Sequence, residues 1–306
     1  MLKTIKNNSL TWNYIQEPTK KDWAFIEENI KIPQNIMMEM VEDIQQPCIE
    51  QWNGNLYINI NIPLYNRKKQ ITETGDLHII LTSTGISTII FKSNLPVKSI
   101  FHHATKSTRF QNELFKNDKN SLLLVFLTEL TTLSFDKIHH INQNIDWIKE
   151  TIFESDDYNQ VQEISKIKLD ILMFQRILKP QKNIFNTMLN GDFKGLDNPK
   201  IKSALNQLIR TNIKVWNSIE SAQRIIESLE VTNNSMVSFK LNNTMRFLAA
   251  VSLITFAMSV TLGIFSIIPF GGFSLAHTPI MFVIAMFMLF IVTMIAFLFF
   301  RRKKWL

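Results

Sequence analysis

Two long uncharged segments near the end of the chain restrict its possible folds more than any other feature. Residues 247–269 and residues 278–300 contain no Asp, Glu, Lys or Arg. Each has roughly 23 residues, and a helix of that length crosses about 30 Å of hydrocarbon. A buried helix of a soluble protein seldom stays uncharged for so long. The sequence therefore predicts two transmembrane helices.

The charges around these segments predict their orientation. The short intervening loop, residues 270–277, carries no acidic residue and no Lys or Arg, which favours a helical hairpin. Positive charge accumulates on the cytoplasmic side of a membrane. Basic residues flank the hairpin on its outer sides: Lys240 and Arg246 before it, and Arg301, Arg302, Lys303 and Lys304 after it. We therefore expect a protein of the cell membrane, embedded in the lipid bilayer, with both termini in the cytoplasm.

Composition excludes several other classes. The net charge is +7, but acidic and basic residues alternate along most of the chain, so nucleic acid is not an expected partner. Cys48 is the single cysteine, which excludes an internal disulfide. The N-terminus has no apolar core of signal-peptide length, so we expect no targeting segment there. No phosphate-binding loop, nucleophile triad or Cys/His metal spacing occurs. The sequence predicts neither an enzyme nor an organic cofactor.

The residues before the hairpin read as two regions. Residues 55–61 and 77–91 alternate in polarity and are punctuated by Gly54, Gly75 and Gly85, as expected of strands. Thr19 is a candidate helix cap, and helical periodicity dominates from about Ser121. The predicted fold class is an α+β cytosolic domain, a long stalk helix and a two-helix transmembrane hairpin. The predicted divisions are 1–130, 131–240 and 241–306.

The stalk helix carries an unusual face into the first span. No Pro or Gly occurs between Pro199 and Gly263, so one helix of some 60 residues, about 90 Å long, is predicted. Within it, small and polar residues follow a seven-residue repeat, and we call this set the seam: Asn242, Met245, Ala249, Ser252, Phe256, Ser259, Gly263 and Ser266. Such a face fits a helix–helix interface without a pore, or a ring of helices lining an axial ion path.

The chain resembles the CorA-type divalent-cation transporters over nearly its whole length. The resemblance rests on "NNTMRFLA" at residues 242–249, the closing "RRKKWL", the soluble segments "QPCIEQWNGNLYININIP", "LHIILTSTGISTIIF" and "RILKPQKNIF", and their order. It implies a homo-oligomer, with five copies expected, that carries a divalent cation, Mg²⁺ first. It adds Leu248 to the pore-facing positions. Transport of Zn²⁺, Co²⁺ or Ni²⁺ is an alternative, and so is a non-conducting, membrane-anchored regulatory paralogue.

Three departures from the family pattern accompany this resemblance. The family's first span ends Gly-Ile-Tyr-Gly-Met-Asn, whereas this chain has "GIFSII" at residues 263–268. Ile268 cannot offer the amide oxygen that the family places at the outer mouth, which leaves Ser266 and backbone carbonyls near Pro269, Gly271 and Gly272 as expected ligands. The family's mid-span Pro falls at Ala257. The stalk Asp of its regulatory metal site aligns with Gln207, and the next acidic position with Arg210, so the metal ligands stay unassigned.

Other polar groups give weaker signals. The adjacent pairs His102–His103 and His139–His140 point to different faces, so neither pair is expected to bind a metal alone. Two acidic sets are expected to be solvated surface groups, with cation attraction or pairing to Arg224 as alternatives: Glu154, Asp156 and Asp157, and Glu220, Glu227 and Glu230.

Overall fold

The computed structural model describes residues 1–7, 9–42, 46–66, 71–91, 96–116, 118–152, 159–193, 195–267 and 279–302. The chain divides into two compact units, Met1–Glu230 and Val231–Leu306. The predicted boundaries at residues 130/131 and 240/241 fall inside continuous helices, and the three-part division stays a prediction.

The first unit is built on one six-stranded sheet. Its strands are β1 (Leu2–Asn7), β2 (Leu10–Gln16), β3 (Cys48–Trp52), β4 (Asn55–Asn66), β5 (Ile71–Thr82) and β6 (Gly85–Ile90). They lie in the order β1-β2-β6-β5-β4-β3, and all neighbours are antiparallel except β2 and β6. The strands predicted around residues 55–61 and 77–91 are confirmed.

Gly85 is required where the β5–β6 hairpin meets β2. Its φ is +145°, a conformation that side-chain-bearing residues rarely adopt. A Cβ atom added there would lie 1.9 Å from the carbonyl oxygen of Thr11. The parallel pairing of β2 with β6 therefore depends on a residue without a side chain.

Helices cover both faces of this sheet. One face packs against α1 (Lys20–Ile30) and α2 (Gln34–Glu39). The other packs against α3 (Pro96–Lys106), α4 (Thr108–Leu114), α5 (Lys119–Thr151), α6 (Asn159–Asn190) and the start of α7 (Pro199–Ile267). Thr19 caps α1 as predicted, in a capping box with Asp22. On the second face, Trp12 packs edge-on against Phe101 and Phe126, with ring centroids 5.1 and 5.3 Å away.

The predicted uninterrupted stalk helix is confirmed, since α7 has 69 residues. By length and composition, α7 is the one helix found among the described residues that could cross a membrane. The part of it that meets this test is Pro199–Val260. Only 6% of its apolar window is buried within the chain, whereas a core helix of a soluble protein is mostly buried. The second predicted span forms α8 (Pro279–Arg302), charged only at Arg301 and Arg302; its passage through a membrane stays a prediction.

Candidate functional site: the exposed face of the long helix

The predicted pore-lining residues lie on an exposed face of α7. Met245 is 60% exposed and Phe256 is 68% exposed. Ser266 belongs to α7, but its side chain lies outside the described residues. The others are also exposed in the single chain: Asn242, Leu248, Ala249, Ser252, Ser259 and Gly263. Their role as a pore lining stays a prediction from their spacing.

The opposite side of α7 is covered within its own unit. Ala250 is buried, and Ile254, Ala257 and Met258 are half-buried. Because an α-helix turns about 100° per residue, the centre of this covered set lies roughly 180° from the centre of the seam. Two small alanines on the covered side permit close helix packing. The seam thus lies on the side of α7 that faces away from the unit's own contacts.

Helix α8 also has a single covered stripe. Phe300 is buried, and Leu289, Val292, Thr293 and Ala296 are half-buried, at the three- and four-residue spacing of one helix face. Most other described side chains of α8 are exposed and apolar, including Phe287, Phe290 and Ile295. An exposed apolar surface of this kind suits contact with lipid.

The hydroxyl of Ser259 is arranged so that its oxygen remains available to a ligand. Ser259 Oγ donates to the carbonyl oxygen of Thr255, 2.9 Å away. A hydroxyl that donates back to its own helix keeps its lone pairs for a water or a cation. At Gly263, an added Cβ would have no neighbour within 4 Å, so the backbone is open there. Met245 and Phe256 supply apolar bulk between these polar positions.

The predicted outer mouth lies outside the described residues. This holds for Ile268, Pro269, Gly271 and Gly272, and also for the acidic set Glu154, Asp156 and Asp157. Their roles stay predictions from the sequence.

Stalk positions near the start of α7 are polar or basic, not acidic. Gln207 and Arg210 are exposed and share a surface depression with Lys202. Lys202 pairs with Asp197 at 3.3 Å. Asp197 is the one carboxylate among the described residues that line this depression, and its pairing with Lys202 disfavours a hard divalent cation, which prefers oxygen ligands with uncompensated negative charge.

The stalk glutamates have partners within the first unit. Glu220 pairs with Arg224 at 3.1 Å, and Glu227 accepts a hydrogen bond from Gln223 at 2.8 Å. Glu230 pairs with Lys168 of α6 at 2.7 Å. This last contact raises the pKa of Lys168, chiefly through the hydrogen bond to Glu230. These groups act within the helical bundle of their own chain.

One group of potential metal ligands does come together, on the α2 side of the sheet. Within the described ranges, Glu39, Cys48 and Glu50 are the three whose ligand atoms all lie within 4.8 Å of one another. Burial, followed by the charges of Glu39 and Glu50, raises the pKa of Cys48 to about 12. Without a bound metal ion, the thiol is therefore protonated at neutral pH. The histidine pairs take no part in this group.

Two buried polar arrangements were missed by the sequence analysis. His78 is fully buried on β5, and its Nδ1 lies 3.0 Å from the hydroxyl of Tyr57. Burial lowers the pKa of His78 to about 4 and raises that of Tyr57. The one available signal was a polar residue within the apolar run "LHIIL" of a central strand.

The second arrangement joins α6 to the sheet. Asp170 Oδ2 pairs with Lys137 Nζ of α5 at 2.7 Å, and Asp170 Oδ1 accepts from the backbone N–H of Thr72 at 2.6 Å. Gln181 Nε2 donates to the carbonyl oxygen of Asn61, and Gln181 Oε1 accepts from Asn212 of α7. No spacing in the sequence relates these residues, because their separations range from 31 to 120 positions.

Comparison with known proteins accounts for almost the whole chain. A family model described as "CorA-like Mg2+ transporter protein" matches residues 7–302. A curated relative, the cobalt/magnesium transport protein CorA of Thermotoga maritima, is 19% identical over 277 residues, which cover 87% of this chain and 76% of the relative.

Solved structures agree with this match at the level of fold. The complete CorA magnesium transporter of Methanocaldococcus jannaschii is similar with a TM-score of 0.83 and 17% identity, covering 99% of this chain and 93% of that one. The soluble domain of the same transporter is similar with a TM-score of 0.63 and 14% identity, covering 72% of this chain and 86% of that one. The fold class predicted from the sequence is confirmed.

Proposed function

Because the chain belongs to the CorA-like Mg²⁺ transporter family, we propose that it forms a homo-oligomeric, pentameric membrane channel that carries Mg²⁺. The observation that supports this proposal is the seam of α7, which is exposed and lies opposite the face covered within its own unit. In the proposed ring, the seams of all copies meet at the axis. The membrane is the cell membrane, and both termini are cytoplasmic.

The chemistry of the proposed path suits a cation that keeps its water shell. Neither uncharged segment contains a carboxylate, so no fixed charge binds the ion within the membrane. Asn242, Ser252 and Ser259 offer oxygens to the hydrating waters, which Mg²⁺ gives up reluctantly. Met245 and Phe256 are the proposed apolar constrictions, which can close such a path by excluding water.

The outer end of the path is proposed to select weakly. Where the family pattern has Asn, Ile268 carries no oxygen in its side chain. The proposed ligands are Ser266 and backbone carbonyls near Pro269, Gly271 and Gly272, since glycine permits the unusual dihedral angles that turn a carbonyl toward an axis. Ile268→Asn should therefore sharpen the preference for Mg²⁺ over larger divalent cations.

Two alternatives rest on specific observations. A relative named for cobalt as well as magnesium supports a broader ion range that includes Co²⁺, with Ni²⁺ and Zn²⁺ as further members. The replacement of Gly-Met-Asn by Ser266, Ile267 and Ile268 supports a non-conducting protein that anchors or regulates an assembly.

Ion flux into proteoliposomes separates these functions. Purified full-length protein is reconstituted with a fluorescent Mg²⁺ indicator inside the vesicles, and Mg²⁺, Co²⁺, Ni²⁺ and Zn²⁺ are added in turn with matched indicators. Uptake of Mg²⁺ supports the proposal, whereas uptake confined to the transition metals supports the broader-ion alternative. A stable oligomer that passes none of the four ions supports the non-conducting alternative.

Cysteine labelling tests whether the seam lines the path. After Cys48→Ala removes the native thiol, Ser259→Cys is compared with Ile254→Cys, which lies on the covered side of the same helix. A small charged thiol reagent should block flux through the Ser259 variant and leave the Ile254 variant conducting. Equal block of both variants, or of neither, contradicts an axial path along the seam.

A further inference from the structure

A cavity of about 500 Å³ lies within the first unit, between β4, α5 and α6. None of the described seam residues lines it. Its inner wall is apolar and includes the fully buried residues Ile60, Ile62 and Phe185, together with Leu130. The volume falls within the roughly 300–1,000 Å³ typical of sites for small organic ligands.

Asp170 and Gln181, two polar residues that line the deep part of the cavity, already have partners. Asp170 accepts from the N–H of Thr72 at 2.6 Å and from Lys137 at 2.7 Å. Gln181 donates to Asn61 at 2.6 Å and accepts from Asn212 at 3.2 Å. A ligand that reaches this depth gains little from polar atoms, so the inner end favours an apolar group.

The mouth of the cavity has the opposite character. Asp136, His140 and Asn144 follow one another at four-residue spacing along α5, and all three line the cavity and are exposed. Within the described ranges of the chain, the side chains of these three residues make no hydrogen bond or ion pair. The carboxylate oxygens of Asp136, the unprotonated ring nitrogen of His140 and the amide oxygen of Asn144 are therefore free to accept hydrogen bonds from a ligand.

The charged residues that line the cavity indicate which charge its ligand carries. Among the described residues of the lining, Lys137 is the one Lys or Arg, and its charge is compensated by Asp170. Asp136 then remains as a carboxylate without a cationic partner in the described part of the chain. An anionic ligand would face this carboxylate and find no uncompensated cation there, whereas an ammonium group offers three N–H donors to the acceptors at the mouth.

We propose that this cavity binds a small organic ammonium ion, a primary amine that carries one ring or a short chain. The apolar body occupies the space between Ile60, Leu130 and Phe185. The ammonium group lies at the mouth on Asp136, with His140 one turn away as a second acceptor. The proposal concerns ligand binding alone and does not depend on which ion, if any, the chain transports.

Two probes of similar size and opposite charge test the proposal. Phenethylamine and hydrocinnamate are titrated against the purified full-length protein, and binding is followed by calorimetry and by saturation-transfer NMR. Phenethylamine should bind saturably at millimolar concentration or below, and hydrocinnamate at least about tenfold more weakly. Absence of saturable phenethylamine binding, or equal affinity for both probes, overturns the proposal.

Three variants locate the site. Asp136→Asn should weaken phenethylamine binding by about tenfold, because a charge-assisted hydrogen bond is lost. Asp146→Asn is the matched control: it lies on the same helix outside the cavity, paired with Lys149, and should bind as the wild type does. Leu133→Trp fills the cavity and should abolish binding. If Asp136→Asn binds phenethylamine like the wild type, the site is not this cavity; since Asp136 is exposed, this comparison stands even if Leu133→Trp fails to fold.

Discussion

Removal of the buried carboxylate of Asp170 should destabilise the first unit more than any exposed charge substitution. Its side chain is 8% exposed and that of its partner Lys137 is 15% exposed. Asp170 links three elements, because it bonds Lys137 of α5 and the backbone of Thr72 on β5 from its own position on α6. Asp170→Ala removes the oxygens that Asp170 offers to Lys137 and to the N–H of Thr72.

The expected loss can be built from two contributions. Loss of one partner from a buried ion pair costs about 3–5 kcal/mol, and we take about 3 because Lys137 keeps an interaction besides that with Asp170 and borders the cavity, where it can reach water. The N–H of Thr72, a residue that is 1% exposed, adds about 1 kcal/mol when unbonded. The sum of about 4 kcal/mol corresponds to a fall in melting temperature of roughly 8–16 °C for a unit of this size.

Thermal unfolding of the full-length protein in detergent, followed by tryptophan fluorescence, measures this loss. Asp170→Asn keeps an acceptor for Thr72 and should lose about 1 kcal/mol less than Asp170→Ala. The double variant Lys137→Met with Asp170→Leu removes both charges and should recover most of the stability.

The control is Asp146→Ala, which breaks an exposed pair with Lys149 at 2.8 Å. Exposed pairs contribute about 0–1 kcal/mol, so this variant should melt close to the wild type. If Asp170→Ala melts as the control does, the ion pair does not stabilise the unit and the reasoning is refuted.

Three further predictions concern the sheet and the assembly. Burial lowers the pKa of His78 to about 4 in the folded chain from its ordinary value of 6.5, so the unfolded chain binds more protons between these values and stability falls as pH decreases from about 6.5 to 4. Between these pH values, the wild type should lose about 3 kcal/mol more unfolding free energy than His78→Gln, as measured by denaturant unfolding. An equal loss in both proteins would contradict the prediction. Gly85→Ala should lower the unfolding free energy by more than about 2 kcal/mol in the same assay, because its Cβ meets the backbone of Thr11. Gly54→Ala is the control, since Gly54 also has a positive φ but an added Cβ meets no atom within 4 Å. Mass measurement of the protein in detergent should give a ring of five copies, and a monomer at low detergent would exclude the proposed pore.

Local sequence patterns were sufficient for the linear organisation of the chain. The uncharged segments, the capping residue Thr19 and the absence of Pro and Gly before Gly263 each act within one element. Helix continuity depends on neighbouring residues, and the seven-residue spacing of the seam follows from helix geometry. The absence of Pro and Gly therefore predicted the long helix, which has 69 residues, and the capping residue predicted the start of α1, whereas the seam stays a prediction from helix geometry.

The tertiary structure alone decided which polar residues are buried together and where a cavity remains. Lys137 and Asp170 read as ordinary surface charges of two amphipathic helices, and His78 reads as one polar residue in a strand. Their burial arises because α5, α6 and β5 pack on one another, and pairing across such distances leaves no periodic trace in the sequence. The covered side of α7 was also beyond sequence reasoning, since Ala250, Ile254 and Met258 differ little in hydropathy from their exposed apolar neighbours. Hydropathy predicts that a segment leaves water. The packing of one helix face against another decides which apolar residues of that segment contact protein and which stay exposed to lipid or to a second copy of the chain.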